Sequence, residues 1–317
     1  MSPSANHLRR TAALFGAAAL ALAGATASAS AVAPTSERGV ACVEPESSGA
    51  NARGGADVQR GKDHRDISVK EQRAIDARTK RVLTRNGVTR PEARAAAAAA
   101  TIPVYVHVMR DSAGNGDVTN QQISQQVAVL NKTYGGQESS SAANTGFTFS
   151  LAGTYRYNNT AWHNDRQSAQ YRSQTRKGGA DALNVWLVDF SYLGIATFPW
   201  DYSGNPGIDG IRVHYDSLPG GGIANYNLGE TTTHEAGHWL GLYHTFQGGC
   251  TTTNDGVSDT AAQSSPTSGC PAGRDSCSLP GTDPIHNYMD YSYDSCYTEF
   301  TTGQSSRMSS MFSAYRG

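Results

Sequence analysis

Apolar and polar residues are patterned differently on the two sides of residue 100. Residues 34–100 contain no Trp, Tyr or Phe and cannot build much of a core of their own. Within them, residues 66–85 are rich in charge and predict a helix, and residues 95–100 are a plain alanine run. From Thr101 the apolar positions fall into short periodic blocks. Residues 102–109 (IPVYVHVM) alternate β-branched with other residues, which predicts a strand. In residues 121–134, Ile123, Val127 and Leu130 recur at helical spacing, with Thr119 or Asp117 placed to cap the first turn. Residues 147–157 and 210–215 predict strands, and LNVWLVDF within residues 180–190 a buried one. Residues 194–200 (GIATFPW) predict a short strand that Pro199 ends or marks as a sheet edge. Helix alternates with strand early, irregular structure dominates late, and no repeat of fixed period occurs. The pattern predicts an α/β domain over residues 101–317, a length that one core can serve.

The first residues predict an address. Arg9 and Arg10 precede an Ala-, Leu- and Gly-rich run over residues 11–27, followed by the small-x-small sites Ala27-Ser28-Ala29 and Ala31-Val32-Ala33. That is the form of a cleaved signal peptide; the run is shorter and less apolar than the roughly 20 residues a membrane span needs. The expected organisation is a signal peptide over 1–33, a pro-segment over 34–100 and a catalytic domain over 101–317. The mature protein is expected to be secreted, extracellular, monomeric and free of the membrane. Charged residues make up 17% of the chain, too few for a coiled coil or a charge-driven disordered protein. Residues 1–100 hold 15 Lys and Arg against 9 Asp and Glu, whereas residues 101–317 hold 11 against 18. The acidic balance of the second part leaves no electrostatic footprint for nucleic acid.

The chemistry is concentrated in HEAGHWLGLYH, residues 234–244. Side chains four apart on a helix share a face, so His234 and His238 can hold one ion from the same side. Glu235, one position on, can reach a water on that ion. Gly241 can adopt a left-handed conformation that ends the helix. The chain then turns back and His244 can supply a third nitrogen. Three imidazoles and a water make the open tetrahedral site of a catalytic zinc, whereas structural zinc sites are usually closed by four protein ligands, often Cys. His107, His163, His214 and His286 stand alone and are expected to fill structural roles.

HEAGHWLGLYH matches HExxHxxGxxH, the signature of the metzincin metallopeptidases, and Asn287-Tyr288-Met289-Asp290-Tyr291 looks like their Met-turn. Together with ATFPW, the block YNLGETTTHEAGHWLGLYHTFQGGC, the spaced cysteines and NYMDYSYDSCYTEFTTGQSSRM, these segments resemble the pappalysin (cytophagalysin) family over most of residues 101–317. The resemblance implies a metzincin-type fold: a twisted mixed sheet with two long helices above the cleft, and a loop-rich lower part carrying the third ligand and the Met-turn. It implies a zinc endopeptidase with His234, His238 and His244 as ligands, Glu235 as general base, Met289 beneath the metal and Tyr291 aiding the oxyanion. Substrates would be proteins or peptides, held as an extended strand along an edge near residues 194–198. Members favouring basic side chains beyond the cleaved bond carry an acid just before the Met-turn cysteine; here that position is Ser295, with Asp294 one place earlier, so a neutral or broader pocket is equally expected.

Of the five cysteines, Cys250, Cys270, Cys277 and Cys296 lie in the lower part, and four allow three pairings. The resemblance favours Cys250–Cys277 and Cys270–Cys296. Cys42, in the pro-segment, is expected to act as a cysteine switch whose thiolate fills the open position on zinc. Residues 254–260 (NDGVSDT) offer carboxylates, carbonyls and a glycine turn, and the family binds calcium near here, so Asp255, Asp259 and Thr260 are candidate calcium ligands. Two other readings are a catalytically silent zinc-binding secreted binding or adhesion module, whose usual mark is a lost Glu or His, and a zinc hydrolase acting on something other than peptides. In this sequence the Glu and all three His are present.

Overall fold

A computed structural model describes residues 67–317; the expected signal peptide and Cys42 lie outside the described residues. Helix α1 (Val69–Arg85) is capped by Ser68, and α2 (Arg90–Ala99) opens with a capping box between Thr89 and Glu92. Strand β1 (Thr101–Arg110) follows at once. Next come α3 (Asn120–Tyr134), β2 (Thr148–Asn158), the short helices α4 (Thr160–His163) and α5 (Ser168–Thr175), and β3 (Leu183–Val188). Then β4 (Gly194–Ala196), β5 (Ile211–His214), α6 (Glu230–Trp239) and the closing helix α7 (Thr302–Tyr315) complete the fold.

The five strands form one sheet in the order β2-β1-β3-β5-β4. The first four run parallel and β4 is antiparallel to β5. A one-residue irregularity between Val104 and Tyr105 of β1 shifts its register against β2. β3 is buried along its whole length, which is why its sequence is nearly continuous in apolar residues. β4 is three residues long and forms one edge of the sheet, and β2 forms the other.

Helix α3 lies beside α6. Thr119 and Gln122 form its capping box, Ile123 and Leu130 are buried, and Val127 packs against the core. The hydroxyl of Tyr134 donates to the carbonyl of Thr233 at 3.1 Å, and Gln126 Nε2 donates to the carbonyl of Gly229 at 2.9 Å. α6 is thus braced by hydrogen bonds near both its start and its middle. Its far end is fixed by Arg316, whose guanidinium makes a bidentate pair with Asp209 (3.0 and 3.1 Å), donates to the carbonyl of Trp239 at 3.0 Å and stacks 3.6 Å from that indole centroid.

Residues 67–100 differ from the sequence expectation. They lack aromatic residues, yet they do take part in a core, because they use the apolar surface of the following domain. Ile67 and Ile75 pack with Phe198, Trp200, Tyr243 and Met311. Ala97 joins the main core with the sheet. The alanine run belongs mostly to α2, and the predicted helix over 66–85 begins at Val69. The change in composition at residue 100 is therefore not a break in packing.

Candidate active site and metal centre

Helix α6 is buried at every position, and it brings His234 and His238 to one face. It ends in a Schellman motif. Gly241 sits at φ +97°, its N–H donates to the carbonyl of His238 at 2.8 Å, and the N–H of Leu242 donates to the carbonyl of Gly237 at 3.0 Å. The left-handed turn sends the chain back so that His244 faces the first two imidazoles. His238 Nε2 lies 3.1 Å from His234 Nε2 and 3.0 Å from His244 Nε2.

The proton positions decide what this cluster is for. His234 Nδ1 lies 2.6 Å from the carbonyl of Tyr288, and His238 Nδ1 lies 2.9 Å from the carbonyl of Leu242. A carbonyl only accepts, so both Nδ1 atoms carry the proton and both Nε2 atoms carry a lone pair. Lone pairs aimed at one another at this distance repel unless a cation lies between them. Tetrahedral zinc with arms of about 2.0–2.1 Å places its ligand atoms about 3.3 Å apart. The three-nitrogen set therefore fits that ion. Among the described residues the other close group of potential ligands is Cys270, His286 and Cys296, and both of those sulfurs are already joined in a disulfide.

Glycine makes room for this arrangement at two places. A Cβ at Gly194, the first residue of β4, would lie 2.4 Å from Glu235 Cγ and Oε1, so the edge strand approaches the carboxylate closely because it begins with glycine. A Cβ at Gly237 would lie 2.5 Å from Met289 Sδ, which puts the Met289 side chain directly under α6. Met289 is held in its turn by its own N–H to Asn287 Oδ1 (3.0 Å), and its carbonyl accepts from Thr245, the residue after His244, at 3.1 Å. The Tyr291 ring stands 4.9 Å from the His244 ring and 5.7 Å from that of His234, half-buried at the mouth of the cluster.

The family model Peptidase_M43, described as pregnancy-associated plasma protein-A, matches residues 190–313. An extracellular metalloprotease of Colletotrichum graminicola is 47% identical over 230 residues, covering 70% of this chain and 79% of that protein. This chain belongs to the M43 peptidases. A second relative, an extracellular metalloprotease of Neurospora crassa, is 48% identical over 229 residues, covering 70% of this chain and 78% of its own. Mature mirolysin of Tannerella forsythia in complex with a cleaved peptide is similar in structure, with TM-score 0.58 and 29% identity, covering 68% of this chain and 92% of that one. A promirolysin mutant of the same organism has TM-score 0.61 and 27% identity, covering 78% and 92%. The pappalysin resemblance and the metzincin-type α/β fold are both borne out, and this M43 peptidase is a zinc metalloendopeptidase.

Beside the histidine cluster of this M43 peptidase lies a narrow recess of about 20 Å³, lined by Leu193, Tyr226, Glu230, Thr231, His234, Tyr291, Asp294 and Tyr297. Two of its walls are buried acids that sequence reasoning did not assign. Asp294 accepts from the N–H of Leu228 at 2.8 Å. Burial lifts its carboxyl to about 6 against the opposing pull of the N–H groups of Leu228, Glu230 and Gly229. It thereby caps α6 from a distant loop, where Gly229 at the cap position has no side chain to do so. Burial, then the charges of Glu138 and Asp294, push the Glu230 carboxyl well up. Ser295, the residue singled out for specificity, does not line the recess.

Both disulfides join the lower part, as Cys250–Cys277 and Cys270–Cys296. They close loops of similar length, 27 and 26 residues, in a stretch with little regular structure. Each typically contributes about 2–4 kcal/mol. The residues of the candidate calcium loop have protein partners. Asp259 gives both carboxylate oxygens to the start of α7, accepting from Thr301 Oγ1 at 2.7 Å and from the N–H of Gly303 at 2.8 Å. Asp255 is buried, which raises its carboxyl to about 8, and it accepts from the N–H of Val257 at 3.0 Å. Thr260 contributes its carbonyl to Asn254 Nδ2 at 2.6 Å. The four isolated histidines have partners: His107 with Asn184, His163 with the carbonyl of Met109, His214 with the N–H of Asp216, and His286 with the carbonyl of Cys296. No helix among the described residues is long and apolar enough to cross a membrane.

Proposed function

We propose that this protein is secreted as a latent precursor and cleaves peptide bonds in extracellular proteins or peptides, with His234, His238 and His244 holding zinc and Glu235 as general base. The observation that carries the reading is the convergence of ring-nitrogen lone pairs, fixed by proton-donating Nδ1 atoms, beside a buried carboxylate. Zinc bound there lowers the pKa of its water towards about 7 and polarises the scissile carbonyl. Glu235 takes the proton of the attacking water and passes it to the leaving amine. Tyr291 donates a hydrogen bond to the oxyanion. The free edge of β4, directly against Glu235, is placed to pair with an extended substrate through main-chain hydrogen bonds. Met289 packs beneath the ligand helix and keeps its floor filled. The test is casein hydrolysis by the processed protein. It should stop on adding a chelator and be absent in Glu235→Ala with zinc retained; hydrolysis undiminished in that variant would overturn the assignment.

Residues 1–33 act as the signal peptide and 34–100 as the pro-segment in this reading. In support, the mature mirolysin match spans 68% of the chain and the promirolysin match 78%. Cys42 is assigned as the latency switch; a Cys42→Ala precursor as silent as the unmodified one would refute this. Calcium is assigned to Asp255, Asp259 and Thr260 on the buried Asp255 carboxyl and the family resemblance. Calcium titration that leaves the melting temperature unchanged would remove it.

A further inference from the structure

Two of the three imidazoles ride on a rigid helix, but the third depends on how the chain turns after Trp239. That turn is gripped from outside by one side chain. Arg307, in the middle of α7, donates from Nε to the carbonyl of Gly241 at 2.8 Å. Gly241 is the left-handed residue on which the turn depends. The next carbonyl along, that of Leu242, receives the Nδ1 proton of His238. The same guanidinium stacks 4.5 Å from the ring of Tyr243, the neighbour of His244. Its Nη1 pairs with Asp76 of α1 at 2.9 Å. The Arg307 side chain is only 9% exposed.

We propose that Arg307 is the positioning residue of the third metal ligand, and that in the unprocessed chain Asp76, within the proposed pro-segment, couples α1 to the metal centre through it. The inference rests on the zinc assignment above. Arg307 fixes the direction of the Gly241 peptide, and so both the acceptor that orients His238 and the path that delivers His244. The residues just before helix α1 hold the far side of the same segment as well. Gln247 Nε2 donates to the carbonyl of Ile67 at 2.6 Å, and between these two ties Phe246 stacks on the His244 ring at 4.7 Å. The segment from 241 to 247 is therefore clamped at both ends, once through Arg307 and once at Gln247. A planar guanidinium can satisfy the carbonyl and the carboxylate together, which a lysine ammonium at that position cannot match in geometry.

Outer-sphere partners of a metal site typically change its affinity about 10–100-fold when removed. The experiment measures zinc dissociation constants of the full chain by competition with a chromophoric chelator at fixed pH. Arg307→Ala should bind zinc about 10–100-fold more weakly, Asp76→Ala should weaken it less, and Arg307→Lys should recover most of the loss by donating to Gly241 alone. Phe312→Ala serves as the control. It removes the aromatic contact that this residue of α7 makes with Phe147 and leaves the Arg307 contacts in place, so it should lower the melting temperature yet leave zinc affinity unchanged. The proposal falls if Arg307→Ala binds zinc as the unmodified chain does, or if Phe312→Ala weakens zinc equally. If the unmodified chain binds no zinc, the metal assignment itself fails, which is a separate outcome.

Discussion

Replacing Arg316 by Met tests the anchor at the end of the ligand helix. The side chains of Arg316 and Asp209 are 0% and 1% exposed. Removing one partner of a buried ion pair costs about 3–5 kcal/mol, because the other charge is left without its counter-ion. Asp209 would keep the Trp239 Nε1 donor at 3.1 Å, Thr197 Oγ1 at 2.9 Å and a long contact with Arg176 at 3.4 Å. Those remaining donors put the cost near the lower end, about 3 kcal/mol. At roughly 2–4 °C per kcal/mol for a domain of this size, the melting temperature should fall by about 6–12 °C. Circular dichroism on protein stripped of metal is the assay, since bound zinc would add its own stabilisation. The double variant Arg316→Met, Asp209→Asn should be less destabilised than the two single losses added together. A single variant melting within about 2 °C of the native protein, or strict additivity in that cycle, would refute the reasoning.

Three further outcomes follow from the geometry. Gly194→Ala places a methyl group 2.4 Å from Glu235, so turnover should fall at least about tenfold with zinc affinity unchanged, read by peptide hydrolysis and chelator competition. Tyr291→Phe should lower kcat by about 10²-fold while shifting KM much less, read from steady-state kinetics. Burial lowers the His107 pKa from 6.5 to about 4, so the folded state binds fewer protons than the unfolded one between those values. Stability should therefore decline as pH drops from about 6.5 and level off below about 4, by about 3 kcal/mol from this group. In His107→Gln that part of the acid sensitivity should vanish from urea titrations across this range.

Legibility in the sequence tracked how local each interaction is. The ligand helix was readable because the i, i+4 spacing of His234 and His238 is a property of ten consecutive residues, and Gly241 signals its own turn. Strand β3 and the Ile123, Val127 and Leu130 face of α3 were readable for the same reason. The capping of α6 by Asp294 was not, since donor and acceptor are separated by more than sixty positions and nothing near Gly229 announces that its cap comes from elsewhere. Arg307 was likewise hidden. It sits in a helix of low amphipathic contrast, and its partners Gly241 and Asp76 lie 66 and 231 positions earlier in the chain. The helices before residue 100 looked unable to pack because composition measures what a segment can bury against itself, whereas Ile67 and Ile75 bury themselves against Trp200 and Met311. The partners of Asp259 were also out of reach of a local reading: its carboxylate accepts from the start of α7, more than forty positions on.

The brevity of β4 has a consequence for what can pair along that edge. A sheet margin that must welcome a foreign strand is also where copies of the same protein can zip together into fibres. Here that margin offers three residues and then runs into Pro199, which breaks the ladder. Under the proposed function a visiting peptide would gain there the few main-chain bonds that align it for cutting, and this edge gives a second copy only a short seam.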